Sequence, residues 1–514
     1  MDMKTIMNEK AGSRLAVRLC CMALLALLGS VSALAQTAED TVYVYRADQP
    51  VAKNFLPLPP DTLSTDFIDD MLQCQWGRAQ RYTPRGRQAS RESLWHPDAM
   101  RSVMAQVLQI DTISDEATPA LSRLLVKTYN TARQGSSVSK RSYHRTRPFV
   151  MLNDALWAQY DDDNLRANSS YPSGHAAFGF AIALVYAEMW PELQDSILRR
   201  GYEFGENRVI TGVHWQSDVT AGFLCAAATI ARAHTCPELQ KDILAARAEY
   251  AALKGLPAGY DPVKGADLPY GEKILNNPVD TASYRYMADV ARHWAAKPLR
   301  STERGDTAAR EAEYSVEMMY SVFGEAMHQK LSPETTPAIC RLIDYALEKA
   351  SNCADRLKPL RFRKRPFVQL GEPSFVPGDE EKERGKSSFP SGHTNLGWTM
   401  ALLMAEVAPD HQEEILRRGY QYGYNRLIVG YHWASDIEAT RILSSALVAR
   451  MHAGTYEQEL IAKAREEYKQ ISTGITAPAS TAQAPARIYR LDGTPASDTD
   501  RGIVIENGQK VIRR

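Results

Sequence analysis

The chain has 514 residues, which exceeds one typical domain of roughly 100–200 residues and suggests two or three domains. Hydrophobic residues make up 44% and charged residues 24%, a composition typical of a globular protein. Lys and Arg number 61 and Asp and Glu also number 61, so the zero net charge gives no reason to expect nucleic acid or an anionic membrane surface as a partner. Any attraction for an anionic ligand must come from a local cluster.

The N-terminus has the pattern of a secretory signal peptide. An apolar run over residues 19–31 follows a basic stretch, and Ala33-Leu34-Ala35 has the small-x-small spacing that signal peptidase cleaves. A membrane anchor would need about 20 apolar residues, more than this run contains. We therefore predict that residues 1–35 are removed, with cleavage after Ala35, and that the mature chain is periplasmic or extracellular. It would begin with an N-terminal extension over 36–59.

Cysteine usage does not indicate a disulfide framework. Removal of residues 1–35 leaves an odd number of cysteines for an oxidising compartment, namely Cys74, Cys225, Cys236, Cys340 and Cys353. Pairing of Cys340 with Cys353 stays open, whereas Cys225 lies in an apolar stretch and is interpreted as a buried thiol. The chain has no CxxC spacing, so a zinc or redox site is not supported.

Most of the remaining sequence is an internal duplication. Residues 197–202 read ILRRGY, and the same six letters recur at 415–420. The three motifs described below recur at this same separation, which we call the repeat offset. Each copy is long enough to bury its own core. The predicted organisation is domain 1 over 60–255, a Gly- and Pro-rich linker over 256–277, and domain 2 over 278–473.

Apolar residues recur at three- to four-residue spacing through most of each copy, which is the period of an amphipathic α-helix. In the first copy the predicted helices cover 101–110, 119–132, 176–189, 192–206, 215–233 and 238–253. Few windows alternate with period two. We therefore predict an all-α fold of two tandem helical bundles. The most apolar stretches, 176–187 and 396–405, are too short to cross a bilayer and are interpreted as core helices.

The end of the chain has a different character. Residues 474–486 are rich in Ala, Pro, Ser and Thr and are predicted to be a flexible linker. Residues 488–493 and 502–512 alternate as β-strands do, with Asn507-Gly508 as a tight turn. We predict a short β module over 487–514, which resembles the C-terminal strand modules of some secreted and surface bacterial proteins. A plain structural tail is an equal alternative.

The first candidate cluster combines a lysine and an arginine ahead of a proline. It occurs twice, as Lys140-x6-Arg147-Pro148 and as Lys358-x6-Arg365-Pro366. Lysine offers a movable point charge, and arginine can hold two anionic oxygens with its planar fork. Alone, such a basic run is more often a solvated face. His144 and Arg145 lie inside it and are interpreted as solvated side chains, with lining of a pocket mouth as the alternative.

The second candidate cluster is Pro-Ser-Gly-His, directly before the most apolar helix. It occurs as Pro172-Ser173-Gly174-His175 and as Pro390-Ser391-Gly392-His393. A Ser-Gly turn at a helix N-terminus presents backbone N–H groups and a hydroxyl to an anion, and the helix dipole adds attraction. A helix cap without further function is the competing interpretation. If an anion binds there, each histidine lies beside it.

The third candidate cluster pairs a histidine with an aspartate. It occurs as Arg208-x5-His214-x3-Asp218 and as Arg426-x5-His432-x3-Asp436. On a helix that begins near His214, residues four apart share a face, so Asp218 is expected to accept a hydrogen bond from the imidazole. That bond would select one tautomer and leave the other ring nitrogen as a nucleophile. A single pair of this kind is more often structural than catalytic.

Three weak patterns in the same order, found twice, form a joint signal for a phosphate pocket. The clusters resemble the signature of the type 2 phosphatidic acid phosphatase (PAP2) superfamily, which includes bacterial class A nonspecific acid phosphatases and vanadium haloperoxidases. Residues 171–175, 414–420 and 430–433 are most similar to the class A acid phosphatases. One departure is that Asn207-Arg208 and Asn425-Arg426 stand where the family pattern has Ser-Arg. We expect tuning of the site rather than loss of activity.

The resemblance implies a role for each residue, in agreement with its chemistry. His214 would attack phosphorus with Asp218 orienting it, and His175 would protonate the leaving alcohol. The phosphate oxygens would be held by Lys140, Arg147, Ser173, Gly174 and Arg208. In the second copy the same roles would fall to His432, Asp436 and His393, with Lys358, Arg365, Ser391, Gly392 and Arg426 around the phosphate. No metal or cofactor is expected, because cationic side chains supply the charge compensation.

The leading hypothesis is a secreted acid phosphatase with two complete active sites that hydrolyses small phosphate monoesters through a phosphohistidine. A vanadium-dependent haloperoxidase and a peripheral phospholipid phosphatase are the alternatives. A copy reduced to phosphate binding is disfavoured, because neither copy has lost a charged or histidine position. We expect no nucleic acid partner and no integral membrane segment after signal cleavage. Duplication in a family that often self-associates favours an internal pseudo-dimer of the two copies.

Overall fold

A computed structural model describes residues 41–158, 163–257, 259–473, 488–490, 502–506 and 509–513. The predicted signal peptide with its cleavage site, the predicted linker 474–486 and the turn at Asn507-Gly508 lie outside these residues. By compactness the chain forms two units, one up to Arg465 and one from Glu466 to Arg514. Both copies of the three clusters therefore lie in the first unit.

The first repeat is helical throughout its described length. Its elements are α1 (Ala52–Phe55), α2 (Thr65–Gln80), α3 (Pro84–Arg91), α4 (Pro97–Leu108), α5 (Pro119–Lys140), α6 (Pro148–Met151), α7 (Asp163–Arg166), α8 (Gly174–Met189), α9 (Gln194–Ile210), α10 (Gln216–Ala233) and α11 (Pro237–Leu253), with a 3-10 turn at Pro191–Leu193. Proline occupies the first turn of several of them, where its missing N–H costs nothing.

The second repeat has the same order of elements. They are α12 (Gly271–Ile274), α13 (Arg285–Ala296), α14 (Glu303–Arg310), α15 (Val316–Ala326), α16 (Pro337–Leu357), α17 (Pro366–Leu370), α18 (Glu380–Glu383), α19 (Gly392–Val407), α20 (Gln412–Val429), α21 (Ala434–Ala453) and α22 (Thr455–Ser472), with 3-10 turns at Lys297–Ser301, Pro377–Asp379 and Pro409–His411. The predicted all-α class is confirmed for this part of the chain.

The repeat offset changes once along the chain. It is constant from the starts of α5 at Pro119 and α16 at Pro337 onward, but it is longer by one position for α1, which begins at Ala52, and α12, which begins at Gly271. The change falls in one loop, where residues 110–113 of repeat one correspond to residues 329–331 of repeat two. The repeat thus extends upstream of the predicted domain starts at 60 and 278. The prediction missed this because it applied a single offset throughout.

Helix α5 is longer than predicted and ends at Lys140 rather than at residue 132. The small, polar run 134–139 lacks the apolar periodicity that marks a helix, yet Gly135, Ser136 and Ser139 are buried. A Cβ at Gly135 would lie only 2.7 Å from Thr229 Oγ1, so a glycine is required for this close packing. The extension brings Lys140 to the candidate site.

The predicted core helices are confirmed. Every residue of α8 is buried, as is every residue of α19 from Thr394 to Val407. Helix α8 packs against α5, α9 and α10, and α19 packs against α16, α20 and α21. Because neighbours cover them on all sides, neither helix has a polar face. Their N-termini carry the Ser-Gly-His motifs.

Each repeat extends a short arm onto the other repeat. Helix α1 packs on α20, and α12 packs on α9. The Val51 amide donates to Glu413 Oε1 at 2.7 Å, and the Tyr270 amide donates to Asp195 Oδ1 at 2.9 Å. Glu413 and Asp195 are related by the repeat offset and occupy equivalent positions at the starts of α20 and α9. The exchange of arms is therefore reciprocal.

The repeats also meet through their buried helices. Helix α8 packs against α21, and α10 packs against α19 and α21. At this contact the rings of His234 and His452 stack with centroids 3.6 Å apart. His234 Nε2 lies 3.1 Å from Glu188 Oε2, and His452 Nε2 lies 2.7 Å from Glu406 Oε2. Two histidines and two glutamates thus form a cluster between the repeats.

The second unit holds the predicted strands. They are β1 (Ile488–Arg490), β2 (Gly502–Glu506) and β3 (Gln509–Arg513), joined as an antiparallel sheet in the order β1-β2-β3. Glu506 faces Gln509 across β2 and β3, the register that a two-residue connection requires. The alternation at the end of the sequence is therefore confirmed as β structure.

The cysteines of the described residues are free thiols. The pairing of Cys340 with Cys353, left open by the sequence, is wrong, since both lie on α16. A helix rises by about 1.5 Å per residue, so the two sulfurs are far beyond disulfide distance. Cys225 is buried as predicted. Within the described ranges, no helix is both long enough and apolar enough to cross a membrane.

Candidate active site

Ser-Gly turns begin the central helices, as the second cluster predicts. Helix α8 begins at Gly174 with Ser173 as its N-cap, and the serine Oγ accepts from the amide three residues on at 3.3 Å. Helix α19 begins at Gly392, and Ser391 makes the same contact at 3.3 Å. The serines are therefore helix caps, and the positive end of each helix dipole points toward the adjacent histidine.

The nucleophile candidates lie ahead of a helix rather than on it. Helix α10 begins at Gln216, with Trp215 as its N-cap and Asp218 as the third residue of a capping box. Asp218 Oδ2 accepts from the Trp215 amide at 2.9 Å. The helix thus begins one residue after the predicted start at 215, and His214 lies just ahead of it, with the aspartate accepting from the N-cap amide. His432 has the same position ahead of α21.

Asp218 is the centre of a buried polar network. Its Oδ1 accepts from Arg145 Nη1 at 2.6 Å, and its Oδ2 accepts from the Ser170 hydroxyl. Arg145 Nη2 also donates to Asp70 Oδ2 at 2.5 Å, and Asp70 accepts from the amide and hydroxyl of Ser217. Burial acts to raise the pKa of Asp218, but Arg145 outweighs it and holds that pKa below its usual range.

The interpretation of Arg145 as a solvated or mouth-lining side chain is wrong. Its side chain is 7% exposed and pairs with two aspartates. Removing such a buried guanidinium would leave both carboxylates unpaired in a low-dielectric environment. Its neighbour His144 is exposed, as expected of a solvated side chain.

The same network recurs in repeat two. Arg363 Nη1 donates to Asp436 Oδ1 at 2.5 Å, and its Nη2 donates to Asp289 Oδ2 at 2.7 Å. The Ser388 hydroxyl also donates to Asp436. Sequence reasoning missed these supporting roles, although recurrence was a signal that could have found them, at the repeat offset for three pairs and one position longer for Asp70 and Asp289. They are Asp70, Arg145, Ser170 and Ser217, with Asp289, Arg363, Ser388 and Ser435 as their counterparts.

The two nucleophile candidates are oriented differently at Nδ1. His214 Nδ1 lies 3.4 Å from Asp218 Oδ2, so the predicted contact is present in a long form. His432 Nδ1 donates instead to the Ser388 backbone carbonyl at 2.6 Å. Burial raises the pKa of Asp436 against the pull of Arg363. The predicted His–Asp bond is therefore replaced by a carbonyl contact in repeat two.

Both nucleophile candidates present Nε2 to an arginine of the first cluster. His214 Nε2 lies 3.1 Å from Arg147 Nη1, and His432 Nε2 lies 3.2 Å from Arg365 Nη1. A guanidinium can only donate, so Nε2 is the ring nitrogen that carries the lone pair. Burial, followed by the charge of the arginine, lowers the pKa of both histidines well below the usual value. The imidazoles are therefore neutral in mildly acidic solution.

His175 and His393 reach the same pockets from the first turns of α8 and α19. Their Nε2 atoms donate to the backbone carbonyls of Ser93 and Ala312, in the loops after α3 and α14, at 3.1 and 3.0 Å. Burial and the charge of Arg208 lower the pKa of His175, and burial and Arg426 lower that of His393. Each of these histidines therefore lies close to the arginine of the third cluster.

In each repeat a glutamate explains why asparagine stands where the family pattern has serine before the arginine of the third cluster. Asn207 Nδ2 donates to Glu92 Oε2 at 2.7 Å, and Asn425 Nδ2 donates to Glu311 Oε2 at 2.6 Å. Each glutamate lies in the loop that supplies the carbonyl contacting the first-turn histidine. Asparagine thus anchors that loop to α9 or α20. A serine at the same position has a shorter side chain and could not reach the glutamate in the same way.

Lys140 approaches the first site from the C-terminus of α5. Its Nζ donates to the carbonyls of Ser169 and Ser170 at 2.9 and 3.1 Å. Burial and the charge of Arg147 lower the pKa of this lysine. Ser170 also donates to Asp218, so Lys140 lies near the histidine–aspartate pair of the first site.

An aromatic ring lies over the Gly-His pair of each repeat. Trp95 contacts His175 edge-on with ring centroids 4.7 Å apart, and it leaves no space for a Cβ on Gly174. Tyr314 takes this place in repeat two, 4.9 Å from His393. The glycine and histidine are buried in repeat one but partly exposed in repeat two.

The site of repeat two opens into a cavity of about 540 Å³. The predicted residues that line it are Lys358, Arg365, Gly392, His393, Arg426 and His432. Another cavity of about 550 Å³ lies between the repeats and is lined by charged residues of both, including Asp66, Arg292 and Glu438. It contains none of the predicted site residues, so the candidate site of repeat two corresponds to the cavity around His393 and His432.

A possible metal-binding group lies outside both candidate sites. His328, His411 and Glu414 offer ligand atoms within 4.8 Å of one another. His328 Nε2 lies 3.0 Å from Glu414 Oε2; His328 is exposed, and His411 and Glu414 are half-buried. None of them lines the cavity around His393 and His432.

Both repeats match one protein family. The model of the PAP2 superfamily matches residues 121–242 and 342–459, one match in each repeat. A non-specific acid phosphatase of Providencia stuartii is 34% identical over 225 residues, covering 42% of this chain and 91% of that relative. A non-specific acid phosphatase of Salmonella typhimurium is 34% identical over 216 residues, covering 41% and 86% respectively. An acid phosphatase of Zymomonas mobilis is 32% identical over 184 residues, covering 36% and 70%.

Proposed function

Since the chain belongs to the PAP2 superfamily, we propose that it is an acid phosphatase that hydrolyses phosphate monoesters at two complete active sites, one in each repeat. The proposal is carried by one observation. Each repeat brings together groups from segments far apart in sequence, namely two histidines, a lysine, two arginines and a capped helix N-terminus. Such a group of donors is suited to a phosphoryl group whose charge is spread over three oxygens.

In the first step His214 Nε2 attacks phosphorus and the bond from phosphorus to the ester oxygen breaks. Nε2 is the unprotonated ring nitrogen because Arg147 can only donate to it, and phosphorus must take the place of Arg147 at its lone pair. His175 gives a proton to the leaving oxygen, so the alcohol departs neutral. Lys140, Arg147 and Arg208 hold the phosphoryl oxygens with the Ser173 hydroxyl and the Gly174 amide. The product of this step is a phosphohistidine.

In the second step water attacks the phosphohistidine. His175, now neutral, takes a proton from the water as the bond between phosphorus and Nε2 breaks. Inorganic phosphate leaves and His214 regains its lone pair. In repeat two His432 and His393 perform these steps, and Lys358, Arg365, Ser391, Gly392 and Arg426 surround the phosphate. Cationic side chains supply the charge compensation, so the proposed steps use no metal.

The lowered histidine pKa values support activity at mildly acidic pH. A nucleophilic imidazole with a lowered pKa stays neutral below its usual value of roughly 6.5 and keeps its lone pair there. The acid His175 must carry a proton, and a bound phosphate dianion favours this because opposite charge raises a histidine pKa. One site can thus contain a neutral nucleophile and a protonated acid.

We propose that the chain is secreted after cleavage at Ala35, on the basis of the N-terminal sequence pattern. We also propose that the repeats form an internal pseudo-dimer. The reciprocal contacts of Val51 with Glu413 and of Tyr270 with Asp195, together with the histidine stack, support this arrangement.

The test uses His214→Ala, His432→Ala and the double variant, with hydrolysis of a chromogenic phosphate monoester as the measurement. Each single variant should lose the activity of one site, and the double variant should be inactive. After an alkaline denaturing quench, labelled phosphate should remain on the wild-type chain and not on the double variant. Full activity of the double variant would overturn the nucleophile assignment.

The haloperoxidase alternative is tested in the same assay series. Halide oxidation is measured with peroxide, with and without added vanadate. Activity that appears only with peroxide and vanadate, without ester hydrolysis, would contradict the phosphatase proposal.

A further inference from the structure

The cavity of the second site contains more carboxylates than its chemistry requires. Its lining includes the cations Lys358, Arg365, Lys382, Lys386 and Arg426, and the carboxylates Glu313, Asp355 and Glu383. A pocket that only had to attract phosphate would be expected to contain cations alone. Two of the three carboxylates contact the cations to which phosphate binding is assigned.

Glu383 pairs with Arg365 at Nη2, whereas the contact of Arg365 with His432 is made by Nη1. Its Oε2 accepts from Arg365 Nη2 at 2.7 Å, and its Oε1 accepts from Lys386 Nζ at 2.7 Å. Burial acts to raise the pKa of Glu383, but Lys386 and Arg365 outweigh it and lower that pKa below its usual value. The carboxylate is therefore ionised in mildly acidic solution, and it engages the guanidinium edge that is not turned toward His432.

Asp355 binds the other cation of the first cluster. Its Oδ1 accepts from Lys358 Nζ at 2.8 Å. The lysine side chain is 23% exposed and the aspartate side chain is 67% exposed, so this pair is more solvated than that of Glu383 with Arg365. In the free protein, both Lys358 and Arg365 are thus paired with carboxylates of the chain.

Repeat one has different residues at the two aligned positions. At the repeat offset, Ser137 is the counterpart of Asp355, and Leu165 is the counterpart of Glu383. Neither Ser137 nor Leu165 can supply a carboxylate. The Leu165 carbonyl accepts from Arg147 Nε at 3.0 Å, as the Glu383 carbonyl accepts from Arg365 Nε at 3.2 Å, so the backbone is equivalent at this position. The difference between the repeats here lies in the side chain.

We propose that Glu383 and Asp355 are specificity-determining residues that compete with phosphate for Arg365 and Lys358 and lower the affinity of the second site for phosphate. This inference rests on the proposed function of that site. A phosphate dianion must replace a carboxylate at each cation. The favourable free energy of phosphate binding is therefore reduced by the cost of breaking an existing ion pair. The second site would thereby release inorganic phosphate readily and resist inhibition by its own product.

The test uses the His214→Ala background, in which the second site alone turns over. In this background Glu383→Leu introduces the residue of repeat one, and Glu383→Gln keeps the shape while removing the charge. Both should lower the inhibition constant for inorganic phosphate by about fivefold to tenfold, the effect of one ordinary net hydrogen bond, because the pair is partly solvated. KM should fall in parallel while kcat stays constant or falls. Asp355→Ser should act in the same direction but by less, because its pair is more exposed.

Glu381→Leu is the matched control. Glu381 lies on the same short helix, its side chain is 94% exposed, and its ion pair is with Arg384 outside the cavity lining. It should leave phosphate inhibition unchanged. The reciprocal change, Leu165→Glu in the His432→Ala background, should weaken phosphate inhibition at the first site.

Two outcomes would overturn the inference. One is an inhibition constant that stays the same in both Glu383 variants, and the other is an equal change with Glu381→Leu. Failure of the proposed function is distinguishable, since it would appear as absence of hydrolysis in the His214→Ala parent. Calorimetric binding of inorganic phosphate would still measure the effect of Glu383 in that case.

Discussion

The two candidate sites share a buried framework and differ at their rims. Asp218 and Asp436 are held by equivalent arginines at 2.6 and 2.5 Å, and those arginines are held by equivalent aspartates. The rims differ in three side chains. Repeat one has Trp95, Ser137 and Leu165 where repeat two has Tyr314, Asp355 and Glu383.

The difference between framework and rim has a physical cause. Removing one member of a buried ion pair leaves an uncompensated charge and costs about 3–5 kcal/mol. Substitution of a solvated residue away from such features usually changes the free energy of unfolding by less than about 0.5 kcal/mol. After duplication the rims could therefore diverge while the framework could not. Two sites of one mechanism can differ in affinity for this reason.

The largest effects are expected from breaking the shared framework. Arg145→Ala leaves Asp70 and Asp218 unpaired, and it should lower the free energy of unfolding by about 3–5 kcal/mol and abolish hydrolysis at the first site. Arg363→Ala should do the same at the second site. Urea unfolding and hydrolysis in the matching single-site backgrounds measure both effects.

Two variants serve as controls for the framework. Arg145→Lys keeps the charge without the planar fork and should lose less stability than Arg145→Ala. Arg87→Ala removes an exposed arginine and should change the unfolding midpoint little. Equal midpoints for Arg145→Ala and Arg87→Ala would contradict a paired network.

A smaller and unequal effect is expected at the orienting aspartates. Asp218→Asn should lower kcat of the first site about 100-fold, because it weakens both the network and the contact to His214 Nδ1. Asp436→Asn should cost less, because His432 Nδ1 is held by the Ser388 carbonyl. The ratio of the two losses, measured in single-site backgrounds, isolates the histidine contact. Identical losses would show that the different orientation has no kinetic consequence.

The cluster between the repeats predicts a pH dependence of stability. Burial acts to lower the pKa of His452, but Glu406 outweighs it and raises that pKa. Stability from a raised pKa is complete below the unfolded value of roughly 6.5 and is lost as the pH rises through the folded value. The pKa of Glu406 is lowered, so its ionised carboxylate stabilises the folded chain above roughly pH 4.3. This contribution is lost as the pH falls through the folded pKa. The contribution of the pair is therefore greatest in mildly acidic solution.

Glutamine substitutions test this cluster and compare its halves. Glu406→Gln should lower the free energy of unfolding at pH 5.5 by about 1–3 kcal/mol and flatten its decline toward pH 8. Glu188→Gln should cost less, because its contact with His234 is longer, at 3.1 Å against 2.7 Å. Urea unfolding across the pH range gives both values. An unchanged pH slope in Glu406→Gln would contradict the assignment.

The smallest effects are expected where the chain departs from the family pattern. Asn207→Ser and Asn425→Ser each remove one hydrogen bond to a glutamate, so kcat/KM of either site should change by less than about fivefold. Glu92 and Glu311 keep their ion pairs with arginines of α9 and α20, which limits the change. A loss of 100-fold in one repeat would mean that asparagine contacts the phosphate directly.

The sequence alone was sufficient for the duplication, the helical class, the core helices and the end strands. These features depend on local patterns, namely apolar spacing, turn residues and repeated motifs. The Ser-Gly-His turn is an example, since capping of α8 by Ser173 follows from three neighbouring residues. Its recurrence at Ser391 made the prediction stronger than either copy alone.

Only the tertiary structure decided how those residues are held. Asp70 meets Arg145 across 75 positions of chain, and Glu413 meets Val51 across 362. Contacts between distant segments leave no periodicity or spacing in the sequence. Even the predicted contact of His214 with Asp218 is long, at 3.4 Å, since the same aspartate oxygen also accepts from the Trp215 amide. Local rules therefore specify the elements and the chemistry, whereas packing specifies which side chains support it.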